Sequence, residues 1–277
     1  MTAGAHKAGA PAVVVAFYPH PAVVLGKRQG PLYLTTPEER ATHLEELGVD
    51  VVVSHPFNRE ISSLSARQFM EHITAHLTPS RLFVGHDFAL GRGREGDIPR
   101  LKELGEELGY TVHEFAQIIQ SGTAISSSLI RAALQEGDVE RAHRFLGRPY
   151  SFEGEVVQGD ARGRSIGIPT ANMAVWPERV VPKAGVYVCR VQVGNEVFGA
   201  VTNIGLRPTF ESGEVASRVE AHLLEFDGDL YGDKIRLSFL ARLRDEQKFP
   251  GIEALIAQIH ADIEQAREWL QASEPAV

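Results

Sequence analysis

Gly159 to Asn172 reads GDARGRSIGIPTAN and concentrates groups that suit a polyphosphate. Gly159, Gly163 and Gly167 let backbone N–H groups approach an anion, because no Cβ stands in the way. Arg162 and Arg164 add charged donors matched to phosphate geometry. The Thr170 hydroxyl and the Asn172 side-chain carbonyl are hard oxygen donors of the kind Mg²⁺ takes. The competing reading is a surface hairpin turn with solvated arginines, since glycine-rich turns are mostly only turns.

Three other stretches carry possible chemistry. Arg218 to Gly232 (RVEAHLLEFDGDLYG) puts Glu220, His222 and Leu224 on one face of a strand and Val219, Ala221 and Leu223 on the other. A glutamate on a barrel strand is costly unless paired or turned to a cavity. Such a carboxylate can act as a general base toward a hydroxyl, or it can simply face outward. Asp227-Gly228-Asp229 reads as a turn. Ser126, Ser127 and Ser128 start a helix with Arg131 one turn on, which makes either an anion site or an ordinary cap. Gly91 to Gly96 matches GxGxxG, but Pro99 interrupts the sequel and no helix opens on the third glycine, so it is a poor dinucleotide fingerprint. No Walker-type GxxxxGK[ST] string is present, and the 11 histidines show no zinc spacing.

Alternating strands and helices position these groups over residues 12–147, which predicts an α/β domain with a parallel sheet. Ala12–Phe17, Val49–Ser54, Leu82–Gly85 and Tyr110–Phe115 read as strands. Pro37–Leu47, Ser65–Leu77, Ile98–Leu108, Ser127–Gln135 and Asp138–Leu146 read as helices. From Phe152 the pattern becomes antiparallel β, with strands at Phe152–Val157, Gly185–Val193, Val197–Ile204, Arg218–Phe226 and Ile235–Leu243. A long amphipathic helix comes after Pro250-Gly251. Residues 1–11 are small and aperiodic, which predicts a disordered tail. The boundary falls near Gly147-Arg148-Pro149, giving domains 1–147 and 148–277.

The 277 residues are 43% hydrophobic with a net charge of −8, a core-forming composition that disfavours a duplex nucleic-acid partner. The lone Cys189 lies in an apolar run and reads as an inert core thiol. No long apolar run and no signal core are evident, so a cytoplasmic protein without a membrane partner is expected.

Taken together, GDARGRSIGIPTAN, VVPKAGVYVCRVQV, TNIGLRPTF, VEAHLLEFDGDLYG and RLRDEQKF resemble the riboflavin kinase module of bacterial bifunctional riboflavin kinase/FMN adenylyltransferases (FAD synthetases). FYPHP, VGHDFALGRGREGD and ISSSLIRAALQEGDVERAHRFLGRPY are similar to the same family's nucleotidyltransferase module. The resemblance implies a Rossmann-like first domain and a six-stranded antiparallel kinase barrel with a C-terminal helix. It implies that ATP and riboflavin are converted to FMN and ADP with Mg²⁺, and that FMN is adenylylated to FAD. By the same resemblance, Thr170 and Asn172 hold Mg²⁺ and the ATP phosphates, Gly159, Gly163, Arg164 and Gly167 shape the phosphate loop, and Glu220 is the base. Ser126, Ser127, Ser128 and Arg131 match half of the adenylyl-transfer site.

One element of the family pattern is missing. The family's first domain opens with a strand and an HxGH turn, and HxGH occurs nowhere in this chain. Either the start is placed late or the first domain has lost adenylylation. In both cases Ala12–Phe17 is expected to have an unpaired edge, and the chain is expected to make FMN but little FAD. The alternative class is a non-catalytic flavin- or nucleotide-binding protein.

Overall fold

Apolar runs and helix caps set the first part of the chain. The computed structural model describes residues 1–120, 122–159, 163, 166–208 and 215–273. The order begins α1 (Thr2–Lys7), β1 (Val13–Tyr18), α2 (Pro21–Val24), α3 (Pro37–Glu46), β2 (Val51–Pro56), α4 (Arg59–Ser63) and α5 (Ala66–Leu77). It continues with β3 (Arg81–Gly85), α6 (Ile98–Leu108), β4 (Thr111–Phe115) and a small hairpin, β5 (Ile119–Gln120) with β6 (Thr123–Ala124). Thr36 with Glu39, and Ser65 with Gln68, close capping boxes at the starts of α3 and α5. Asp97 caps α6, and Gly109 ends it in the left-handed conformation.

β1 pairs with β2 and β3 with β4, both in parallel. Among the described residues these are two separate pairs, so β1 has a neighbour on one edge only, as the sequence reading expects for Ala12–Phe17. Phe69, Met70, Leu101 and Leu104 form the core on which Phe17, Leu82 and Val112 pack.

The expectation of a disordered N-terminal tail is corrected: Thr2–Lys7 is helical. The alanines favour helix, and His6 Nε2 anchors it 2.9 Å from Asp50 Oδ2. Asp50 also accepts the Ala12 amide at 2.7 Å. That backbone bond, then His6, holds the Asp50 carboxyl below its ordinary range.

The rest of the order is α7 (Ser127–Glu136), α8 (Val139–Leu146), β7 (Tyr150–Val157), β8 (Ala171–Met173), β9 (Gly185–Val193), β10 (Glu196–Pro208), β11 (Val215–Leu223), β12 (Lys234–Arg244) and α9 (Ile252–Ala272). The six strands from β7 on close into a barrel in the order β10-β11-β8-β7-β12-β9. Sequence patterning finds five of them. It misses β8, which is too short to alternate, and it runs β11 on to Phe226, whereas the strand stops at Leu223 and Glu225 turns at φ 58°.

By packing, the chain forms two compact units, Met1–Gly30 with Thr35–Ile125, and Pro31–Leu34 with Ser126–Val277. In the second, Ile130, Ala133, Leu134, Val139 and Ala142 of α7 and α8 share one core with the barrel interior, which is filled by Tyr150, Phe152, Tyr187 and Phe239. Cys189 is buried in that core, and burial pushes its thiol up to about 12, as befits an inert group. No described helix is long and apolar enough to cross a membrane.

α9 covers the outside of the barrel, with Ile263 and Ala266 against Val186, Val188 and Val201. A buried ion pair fixes its register. Arg244 Nε donates to Asp262 Oδ1 at 2.9 Å and its Nη2 to Oδ2 at 2.7 Å, while Gln258 Nε2 donates to Oδ1 at 2.9 Å. Removing one partner of such a pair costs about 3 kcal/mol or more. Asp262→Ala is therefore expected to lower the stability of the barrel unit by that amount in urea denaturation, and a change below about 1 kcal/mol would contradict the assignment.

Candidate active site

The candidate site lies on the outer face of the barrel because of strand alternation. On β11 the fully or nearly buried Val219, Ala221 and Leu223 point inward, so Arg218, Glu220 and His222 point outward. On β8 Ala171 and Met173 join the core and Asn172 faces out. Register pairs Glu220 with Asn172 on one side and with Asn203 of β10 on the other. The carboxylate thus stands between two amides.

Arg218 ties the row together. Its Nη2 lies 2.7 Å from Glu220 Oε1, and its Nε donates to Asn172 Oδ1 at 3.2 Å. Pairing answers the cost of placing a carboxylate on a half-buried strand face. His222 Nδ1 sits 2.8 Å from the Pro169 carbonyl. A carbonyl only accepts, so the ring N–H donates and pins the residue before Thr170.

Gly159 and Gly163 approach this corner closely. A Cβ on Gly159 would fall 2.6 Å from Asn172 Oδ1 and closer still to its Nδ2. At Gly163 it would overlap the Ile168 carbonyl oxygen and lie 3.4 Å from Thr170 Oγ1. The Gly163 carbonyl also accepts the Ile168 amide at 2.8 Å. Gly167 takes φ 78° and is exposed. Arg162 and Arg164 lie outside the described residues.

Thr170 and Asn172 open onto a cavity of about 100 Å³, walled by Val156, Ala221, Leu223 and the turn Phe226–Tyr231. Phe226 is braced edge-on against Phe198, ring centres 5.1 Å apart, and Asp229 Oδ1 accepts the Tyr231 amide at 3.1 Å. Sequence reading treats this turn only as a turn. The readable signal is an aromatic on each side of it, Phe226 and Tyr231. Arg218 and Asn203 are missed as well. Arg218 was readable as the residue two before Glu220 on the same strand face, whereas Asn203 becomes visible only with the register.

The remaining candidates go elsewhere. Ser126 caps α7, accepting the Leu129 amide at 3.4 Å, and Ser127 and Ser128 are exposed. Arg131 Nε donates to the Leu32 carbonyl at 2.7 Å.

The described residues contain no cluster of three or more His, Cys, Asp or Glu side chains able to hold a metal. The Thr170 hydroxyl and Asn172 carbonyl nonetheless suit Mg²⁺, which takes few protein oxygens and fills its octahedron with water and phosphate. Gly159 and Gly163 leave the room around both that a side chain would fill.

Comparison with known proteins finds two families along the chain. A riboflavin kinase family model matches residues 146–270 and an FAD synthetase model residues 1–129. The bifunctional riboflavin kinase/FMN adenylyltransferase of Bacillus subtilis is 38% identical over 265 residues, covering 95% of this chain and 83% of the relative. That of Escherichia coli K12 is 36% identical over 272 residues, covering 98% and 86%. A crystal structure described as a macrolide-efflux protein from Streptococcus pneumoniae superimposes with a TM-score of 0.87 at 30% identity, covering 96% of this chain and 86% of that one.

The contact at Gly159 is directly testable. Gly159→Ala is expected to turn the Asn172 amide away from Arg218 and to cost about 1–3 kcal/mol by overpacking. A crystal structure of the variant with Asn172 unmoved would contradict the close approach.

Proposed function

The chain belongs to the bifunctional riboflavin kinase/FMN adenylyltransferase family, and we propose that its barrel phosphorylates the terminal ribityl hydroxyl of riboflavin at the row formed by Asn172, Glu220 and Arg218. As a member it is a transferase with ATP and riboflavin as small-molecule substrates. The observation that carries the site assignment is the register that sets Glu220 beside Asn172, which itself lines the cavity.

In this reading Glu220 Oε1 or Oε2 takes the proton from the attacking hydroxyl. Arg218 holds the carboxylate in place and links it to the amide that faces the phosphates. Thr170 and Asn172 would hold Mg²⁺. When bound, the ion supplies charge neutralisation on the phosphate oxygens, and most of the remaining catalysis is positioning. Gly159 and Gly163 keep the backbone close to the phosphates. The walls of the cavity, Val156, Leu223, Phe226, Leu230 and Tyr231, suit the flat apolar faces of a nucleotide base. The resemblance ties flavin adenylylation to an HxGH turn, which does not occur in these 277 residues. We therefore assign phosphorylation to the module 148–277, and expect these 277 residues, taken alone, to adenylylate FMN poorly. A buried lone thiol and an ATP-consuming reaction fit a cytoplasmic setting, and the −8 charge fits small substrates without a nucleic-acid partner.

Two measurements test this. With riboflavin, ATP and Mg²⁺ the protein is expected to yield FMN, and Glu220→Gln is expected to slow turnover on the order of 10²–10⁴-fold, the scale of a lost general base. Near-normal turnover by that variant would refute the role, and tight riboflavin binding by the unmodified chain without turnover would favour a binding protein. With FMN in place of riboflavin, a polypeptide of this sequence is expected to form little FAD by chromatography; steady FAD synthesis would overturn that expectation.

A further inference from the structure

A four-residue strap from early in the chain, Pro31–Leu34, completes the barrel unit, and we infer that it is a positioning element of the kinase site. The inference rests on the kinase reading above.

The strap is bound through its backbone. The Leu32 and Tyr33 amides both donate to the Glu178 carbonyl, at 2.9 and 3.0 Å, and the Val180 amide donates back to the Tyr33 carbonyl at 2.9 Å. Tyr33 and Arg179 thereby form a parallel bridge. The flanking carbonyls are taken by side chains: Arg131 Nε donates to Leu32 at 2.7 Å, and Arg179 Nη1 to Leu34 at 3.4 Å. Leu32 and Tyr33 are each only 4% exposed, and the Tyr33 ring lies on Trp176 with centres 4.9 Å apart. A connecting segment with its Leu32, Tyr33 and Leu34 carbonyls engaged and both central side chains buried is a docked element, since loops ordinarily run over the surface.

What the strap holds is the loop 174–184, which continues directly from β8. β8 is three residues long and carries Asn172. So short a strand pairs with β11 at three positions and with β7 at two, which sets its register, and the loop it runs into adds to what holds it in place. The loop has further anchors: the Tyr150 hydroxyl donates to the Val180 carbonyl at 2.5 Å, the Arg179 guanidinium lies 5.2 Å over the Phe152 ring inside the barrel, and at its two ends the Ala174 amide donates to the Glu155 carbonyl and the Lys183 amide to the Leu134 carbonyl, both at 2.9 Å. The strap is the anchor of its middle, Glu178 to Val180. Loosening the strap therefore moves the loop, and through β8 the amide that faces the nucleotide, while Glu220 on β11 stays on its own longer ladder.

The test uses the full chain with Leu32→Ala and Tyr33→Ala, and with Leu32→Met as a volume-conserving control that should leave everything unchanged. At a temperature where each variant is folded, both alanine variants are expected to raise the KM for ATP about 3- to 10-fold, the usual scale of mutations along a packed connection. The KM for riboflavin should stay within about twofold. Native-state hydrogen exchange should speed up at the Val180 amide and not at Val219. An unchanged KM for ATP, or unchanged Val180 exchange, in both alanine variants overturns the inference. If an alanine variant fails to fold, the milder Leu32→Val carries the same expectation in the same direction. An unmodified chain that never phosphorylates riboflavin defeats the kinase reading separately, and the Val180 exchange still reports whether the strap holds the loop.

Discussion

The register between β8 and β11 is the constraint on which the site depends. Side chains alternate across a sheet, so a slip of one residue would bury Asn172 and expose Ala171. The apolar partners prevent that slip. Met173 opposite Val219 and Ala171 opposite Ala221 are all held in the barrel core, and only with those pairs buried do Asn172 and Glu220 emerge side by side. The placement of the candidate groups on the outer face is thus set by packing on the inner one. Arg218 then converts adjacency into a fixed arrangement by bonding to both.

Much of this was legible in the amino-acid order. Helix starts were readable because Thr36, Ser65, Asp97, Ser126 and Asp138 are side-chain caps whose partners lie three residues on. The two faces of β11 were readable from a period of two. The N-terminal helix was not, because its six residues lack an apolar stripe and it is held by one long-range pair with Asp50. β8 was not, because three residues cannot show a period. For the site, residue types pointed to Thr170, Asn172 and Glu220 individually. Their juxtaposition with Arg218, Asn203 and the Phe226–Tyr231 turn comes from strand pairing, which no local pattern encodes.

The first unit shows the opposite balance. Its parallel strands, caps and core match the α/β pattern, and its sequence matches an FAD synthetase model. Yet Ser126 to Arg131, which match part of an adenylyl-transfer motif, belong by packing to the barrel unit, and two of them have structural partners there. Ser126 is engaged as a cap and Arg131 by a backbone carbonyl. Family membership and local geometry answer different questions here, and only the second concerns which groups are available to a reactant.

The aromatic filling of the barrel has a consequence for traffic. Tyr150, Phe152, Tyr187 and Phe239 plug the lumen, so the cylinder is a solid post with no passage along its axis. The recess beside Thr170 and Asn172, whose walls include the inward-facing Ala221 and Leu223, therefore ends blind, and what enters it leaves by the same opening.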